Sequence, residues 1–184
     1  LPIYPGLRLP GSVDRFELAV RAVLGQQVTV AAARTLARRL VEGFGEPLTS
    51  PWPEVSHTFP APERLAEASL EAVAGLGIIH SRAAALQALA RDWPHWSQQL
   101  DHAPSPEAAI DALCALPGLG PWTAHYIAMR ALGWPDAFPP RDVAVLKAMQ
   151  QLFGVSTPRA ADALAQRWRP WRSYAVLRLW NSWA

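Results

Sequence analysis

From Asp14 onward the apolar residues recur at helical spacing, and no run of β-branched residues alternates as a half-buried strand must. Proline and glycine cut that periodicity repeatedly, which restricts the chain to short helices packed on one another. Ser12 stands as a cap ahead of a helix over 14–24, in which Phe16, Val20 and Val23 share a face. A second helix is predicted over 28–44, stopped by Gly43 and Gly45, followed by a proline-rich connector over 46–60. Pro62 opens a short helix, and another ends at Gly75-Leu76-Gly77. Residues 81–92 carry an apolar face of Ala85, Leu86 and Leu89, and 94–104 read as irregular. Ser105-Pro106-Glu107 combines a cap, a first-turn proline and an acid at the positive helix end, so a helix should run to about Ala115. A helix from Trp122 carries Ala124, Ile127, Ala128 and Ala131. A proline-rich loop over 135–141 leads to a helix over 143–153, Thr157-Pro158 opens the next, and Pro170 precedes a last helix over 171–183. The expectation is an all-α fold of about ten short helices, without repeats or low-complexity segments.

At 184 residues, 51% apolar and 17% charged, the chain can bury a real core as one domain or two small lobes, and disorder is excluded. No stretch offers 18 uninterrupted apolar residues, so no membrane span is expected. Residues 1–5 show neither a basic leader nor an apolar signal core, and no initiator Met, which leaves open that the chain is an excerpt of a longer protein. The single cysteine, Cys114, excludes a disulfide framework and an all-cysteine metal or iron–sulfur site. These features read as an intracellular, soluble chain. A net charge of +2 excludes a wholly electrostatic nucleic-acid binder, so any DNA contact should be local and geometric. Nine tryptophans are more telling, because surplus aromatic faces suit stacking on bases.

Helix, Leu116-Pro117-Gly118-Leu119-Gly120, helix has two readings. It is either a tight inter-helix turn or a hairpin. In a hairpin, glycines at positive φ bring bare backbone close to a ligand, and N–H groups opening the second helix meet a phosphate. The Thr123 hydroxyl could add to such a grip, which positions a protein on nucleic acid without reading sequence. Asp142 sits where aspartates usually cap a helix. Trp122 and Tyr126, four apart, lie on one helical face and fit either core packing or a stacking surface.

The segment from Leu116 through Gly120-Pro121-Trp122-Thr123-Ala124-His125-Tyr126, with Asp142 downstream, resembles the helix–hairpin–helix DNA glycosylase superfamily, and in detail its AlkA-type 3-methyladenine DNA glycosylase II branch. Three further stretches are similar to that branch: Pro5-Gly6-Leu7-Arg8-Leu9-Pro10-Gly11, Arg21-Ala22-Val23-Leu24-Gly25-Gln26, and Arg167-Trp168-Arg169-Pro170-Trp171-Arg172-Ser173-Tyr174-Ala175. The motifs fall in order and run nearly end to end. The resemblance implies one glycosylase domain over 1–184, its hairpin at about 106–132, with two helical lobes and the active site in the cleft between them. AlkA-type proteins carry an N-terminal β-rich domain ahead of the part where this sequence begins, so an aromatic that domain can lend to the pocket is missing here.

Residue by residue, the resemblance makes Asp142 the essential carboxylate. It places Trp122, Tyr126 and Trp180 around an extruded base, and Gln27 at the wedge that fills the gap in the stack. Glutamine is less apolar than the usual leucine wedge, but it can hydrogen-bond the orphaned base. Gly118, Leu119, Gly120 and Thr123 would hold a DNA phosphate, and the carbonyls of Cys114, Leu116 and Leu119 a Na+ or K+ ion, with no cofactor required. Superfamily members that also cut the backbone carry a lysine nucleophile where this chain has Trp122. From 113 to 150 the sequence offers only Lys147, so a monofunctional enzyme is implied, leaving an abasic site in double-stranded DNA. The resemblance further implies a bacterial monomer of the cytoplasm, associated with the nucleoid.

Asp136 reads as a solvated or turn-forming loop residue, and Trp168, Trp171 and Trp183 as packing. His57, His80, His95, His102 and His125 lack ligand spacing, and Cys114 reads as inert. Two rivals stay open at this stage. One is a non-enzymatic DNA-binding module on the same scaffold. The other is an iron–sulfur relative, which the cysteine count and the missing lysine oppose.

Overall fold

The computed structural model describes residues 5–183, without the Trp183 side chain; the readings made on residues 1–4 and on Trp183 packing lie outside them. The described residues form eleven α-helices. They are α1 (Arg15–Leu24), α2 (Val30–Phe44), α3 (Pro62–Glu67), α4 (Leu70–Ala74), α5 (His80–Arg91), α6 (Trp93–His102), α7 (Pro106–Cys114), α8 (Pro121–Arg130), α9 (Val143–Phe153), α10 (Pro158–Ala165) and α11 (Arg172–Trp183), with a 3-10 turn over Gln166–Trp168. No strand is present among them, and the 46–60 connector holds one isolated bridge, Pro47 to His57. No described helix is long and apolar enough to cross a membrane.

The local signals that held are caps. Ser105 accepts the Ala108 N–H at 3.2 Å and Thr157 the Ala160 N–H at 3.3 Å, each with proline in the first turn where no N–H is needed. Three expectations are corrected. Asp14, not Ser12, caps α1, because its carboxylate reaches the N–H groups of Phe16 and Glu17 at 2.7 and 3.1 Å. α2 starts only at Val30 under the Thr29 cap and runs through Gly43 to stop at Gly45. Most of 94–104, read as irregular, belongs to helix α6, Trp93–His102: Pro94 sits in its first turn and starts the helix instead of breaking it, while Leu100 is buried and Trp93 and Trp96 pack on the core.

Two cores result. The larger gathers α1, α2, α5, α7 and the outer half of α8 around Val20, Leu24, Leu86 and Ile127, all fully or almost fully buried. Truncating one such leucine to alanine costs about 2–5 kcal/mol. The smaller gathers α9, α10 and α11 around Val145, Met149, Val176 and Leu179, joined by Met129 from α8. α8 therefore belongs to both lobes, and Tyr126 and Trp134 pack against both cores. The seam between the lobes is where the candidate residues converge.

Candidate active site

Asp142 does what its local sequence suggests: it caps α9, its Oδ1 accepting the Val145 N–H at 2.8 Å. It also does more. Oδ1 accepts the Trp180 indole N–H from α11 at 3.1 Å, and Oδ2 accepts the Trp122 indole N–H from α8 at 2.8 Å. The carboxylate is only 8% exposed. The three donors that reach its oxygens among the described residues, two indole N–H groups and one backbone N–H, are all neutral and satisfy them without cancelling the charge. The residue before it, Arg141, is held at φ +58°, a conformation that costs a non-glycine residue about 1–3 kcal/mol.

Around it stand the three predicted aromatics, all half-buried. Trp122 and Tyr126 are stacked, centroids 5.2 Å apart and planes 11° apart, which leaves no room for a third ring between them. Tyr126 and Trp180 meet at 6.3 Å and 47°, and the Arg130 guanidinium lies 5.8 Å from the Tyr126 ring centre. An incoming planar group must therefore lie against an outer face of this cluster, beside Asp142.

Asp136 is the residue the sequence reading misjudged. It is neither solvated nor a turn former but 6% exposed. Its oxygens accept from Arg172 Nε at 2.7 Å, Arg172 Nη2 at 3.0 Å and Arg169 Nε at 2.8 Å, and Arg172 Nη2 also donates to the Asp136 carbonyl at 2.8 Å. Burial alone would push the Asp136 carboxyl up; the hydrogen bonds and charge of the two arginines overcome it and hold the carboxyl below the usual range. Ser173 adds to the staple, accepting the Ala137 N–H at 2.9 Å and donating to the Trp134 carbonyl at 2.7 Å. The 135–141 loop is thus fixed to the start of α11, and with it the approach to Asp142. The only available signal was the arginine pair inside Arg167-Trp168-Arg169-Pro170-Trp171-Arg172, noticed for its family likeness and not for its charge.

The hairpin forms as expected, with α7 and α8 joined by a turn in which Gly118 has φ +81° and backs onto Ala85, where a side chain would overlap. Gly120 differs. Its φ is −86° and a Cβ would meet nothing within 4 Å, so the fold itself does not ask for glycine there. α8 also starts without a side-chain cap, so the N–H groups of its first turn after Pro121 have no side-chain partner beside that bare backbone. Two of the expected phosphate contacts have partners within the fold. The Leu119 N–H donates to the Leu116 carbonyl at 3.1 Å, closing the turn. Thr123 is 2% exposed, its hydroxyl turned inward to accept from Gln26 Nε2 at 2.9 Å. Of the three carbonyls suggested for a cation, that of Leu116 carries the Leu119 hydrogen bond and keeps one lone pair.

Gln27 is exposed at the tip of the loop between α1 and α2, at φ +54°, and this loop lies against the hairpin. Trp168 packs on the smaller core and meets Phe153 at 6.0 Å, whereas Trp171, expected to pack, is 58% exposed and touches Tyr174 edge-on. His125 stacks on Trp134 and its Nδ1 accepts the Phe138 N–H; burial, then the charge of Arg172, lowers its pKa. Burial, then Asp111, pushes the Cys114 thiol up, which disfavours the reactive thiolate. Among the described residues no group of three His, Cys, Asp or Glu side chains could hold a metal.

The family model described as HhH-GPD superfamily base excision DNA repair protein matches residues 20–173. The chain is 44% identical over 178 residues to a probable bifunctional transcriptional activator/DNA repair enzyme AlkA of Mycobacterium tuberculosis, covering 97% of this chain and 35% of that protein. It is 43% identical over 176 residues to DNA-3-methyladenine glycosylase 2 of Escherichia coli, covering 96% of this chain and 60% of the relative. The chain thus spans between a third and three-fifths of the length of these relatives. In structure it resembles a 3-methyladenine DNA glycosylase of Schizosaccharomyces pombe solved in complex with abasic DNA, with a TM-score of 0.77 at 21% identity, covering 97% of this chain and 85% of that one.

Proposed function

The chain belongs to the HhH-GPD superfamily of base excision DNA repair proteins, and on that premise we propose that it is a monofunctional DNA glycosylase. It acts as a monomer on chromosomal double-stranded DNA of a bacterium, extruding alkylated bases, 3-methyladenine first among them, and hydrolysing the N-glycosidic bond to leave an abasic site. The observation that carries this reading is Asp142: a buried carboxylate at the seam of two lobes, held by two indole N–H groups and a backbone N–H, all neutral donors.

Cleaving an N-glycosidic bond builds positive charge on the sugar, and a fixed, uncancelled anion lowers the energy of that state. Asp142 Oδ2 carries one donor where Oδ1 carries two, so Oδ2 has the freer lone pair to face the sugar or to hold the attacking water. An alkylated purine is already cationic and leaves without a general acid. The Trp122 and Trp180 rings beside Asp142 favour such a cation over a neutral base, Tyr126 being covered by Trp122 and by Arg130. The base must leave the duplex stack to reach them, with exposed Gln27 available to fill the gap. The bare Gly120 backbone and the uncapped start of α8 offer a phosphate its grip, with Gly118 shaping the turn.

Trp122 stands in place of a lysine nucleophile, and Lys147 lies exposed on α9, so water completes the reaction and the DNA backbone stays intact. No organic cofactor enters. A Na+ or K+ ion at the carbonyls of Cys114, Leu116 and Leu119 belongs to the same reading, because a set of neutral oxygens suits a weakly held monovalent ion that would add positive field toward a phosphate.

The test is release of free 3-methyladenine from methylated duplex DNA by this chain and by Asp142→Asn. Release by the first and none by the second supports the reading. Release by neither, with duplex binding intact, points to a binding module and defeats it.

A further inference from the structure

Gln26, one residue before the exposed tip of the loop between α1 and α2, makes three bonds that tie this loop to distant parts of the fold. Its side-chain Nε2 donates to the Gly118 carbonyl at 2.9 Å and to the Thr123 hydroxyl oxygen at 2.9 Å, across 92 and 97 residues of sequence. Its own carbonyl accepts from Arg82 Nη2 of α5 at 2.5 Å. The amide orientation follows from chemistry, because the Gly118 carbonyl only accepts and the nitrogen must face it. A primary amide also has two N–H groups, one for each oxygen. Glutamate, of the same shape, has none to give.

We propose that Gln26 is a positioning residue that locks the Gln27 wedge to the hairpin, so that the element entering the base stack and the element holding the backbone move as one body. This rests on the glycosylase reading above. Residues 27–30 are exposed, and Gln27 itself has a left-handed backbone, so little within the loop fixes the wedge. Both Gln26 contacts land on the hairpin itself: one on the glycine that makes its turn, the other inside the first turn of α8. A wedge works only at a set distance from the phosphates that hold the duplex. The requirement vanishes on single-stranded DNA, where there is no stack to enter and no partner base to replace.

Two variants break the link from opposite sides: Gln26→Glu, which removes both donors, and Thr123→Val, which removes one acceptor at nearly constant volume. Release of 3-methyladenine from methylated duplex should fall about tenfold in Gln26→Glu, the scale of a lost hydrogen-bonded pair, and by several-fold less on methylated single strands. The double variant should be little worse on duplex than Gln26→Glu, because the two changes destroy a shared interaction. Equal losses on both kinds of DNA would assign Gln26 to general folding and overturn the proposal, as would no loss in either variant. If Gln26→Glu melts early, Thr123→Val carries the test. A second readout needs no chemistry. 2-Aminopurine placed beside an abasic analogue in duplex DNA brightens when the wedge unstacks it. Dimmer fluorescence with the variants supports the link even if the wild type releases no base, and unchanged fluorescence refutes it.

Discussion

The 135–141 loop carries one buried carboxylate, Asp136, and leads directly to another, Asp142, and the fold treats the two in opposite ways. Asp136 is neutralised by Arg169 and by Arg172 at the start of α11, and the pair fastens the loop to that end of the helix. Among the described residues the hydrogen bonds to Asp142 come from neutral donors, two of them the edges of half-buried aromatic rings at the seam. Both arrangements satisfy a buried anion, but only the second leaves its charge to act on something else. A cancelled carboxylate secures a loop; an uncancelled one can stabilise a cation that arrives from outside.

The largest test of that division is Asp142→Asn. It keeps the side-chain shape and the oxygen that caps α9 but removes the charge, so base release should fall by roughly 10²–10³-fold or more. The melting temperature should shift by only a few degrees. Asp136→Asn should do the reverse. It leaves the Arg172 guanidinium, 9% exposed, without its counter-charge, and breaking such a pair costs about 3–5 kcal/mol of folding stability, read as a drop in urea midpoint at constant slope. The folded fraction should still release base at low temperature. A stable but inactive Asp136→Asn protein would show that the two residues had been assigned the wrong way round.

What could be read from the sequence was what is local. Caps at Ser105 and Thr157, first-turn prolines and the hairpin glycine at 118 act within four residues of themselves, and these signals located most of the helices. Pro94 was misjudged because a proline that starts a helix and one that ends it look alike until Trp93, Trp96 and Leu100 are seen to share a buried side. The site depended on distance. Asp136 meets its arginines 33 and 36 residues downstream, and Thr123 turns inward because Gln26 lies 97 residues away. Asp142 could be marked by family likeness, but that its two donors would be Trp122 and Trp180, from 20 and 38 residues away, is a fact of packing alone.

Those two indoles sharpen the comparison further. Trp122→Phe retains a ring to stack on Tyr126 but removes the N–H that holds Oδ2, and Trp180→Phe does the same for Oδ1. Oδ1 keeps the Val145 N–H, whereas Oδ2 loses the one donor it has among the described residues, so Trp122→Phe should reduce kcat more, by about tenfold for one hydrogen bond to a charged group. Equal effects of the two substitutions, measured in single-turnover assays, would mean that the rings matter only as stacking surfaces.

The smallest effect is in the pH dependence of stability, where Asp136 and His125 should contribute in separate windows. Both pKa values are lowered in the folded state, so in each case the unfolded chain binds the proton more readily and stability rises with pH. For His125 the contribution is complete above the ordinary value of 6.5 and is lost as pH falls below it through the lower folded value. For Asp136 it is complete above 3.8 and is lost as pH falls through the folded value below that. Melting temperature should therefore be flat from pH 8 to about 7, decline gently below 6.5, and decline again below 4. His125→Gln should flatten the first decline and leave the second, while Asp136→Asn should flatten only the second. If Asp136→Asn also removed the step below 6.5, the two groups would be titrating through their shared neighbour, Arg172, and the loop staple would extend from α11 to the imidazole on α8.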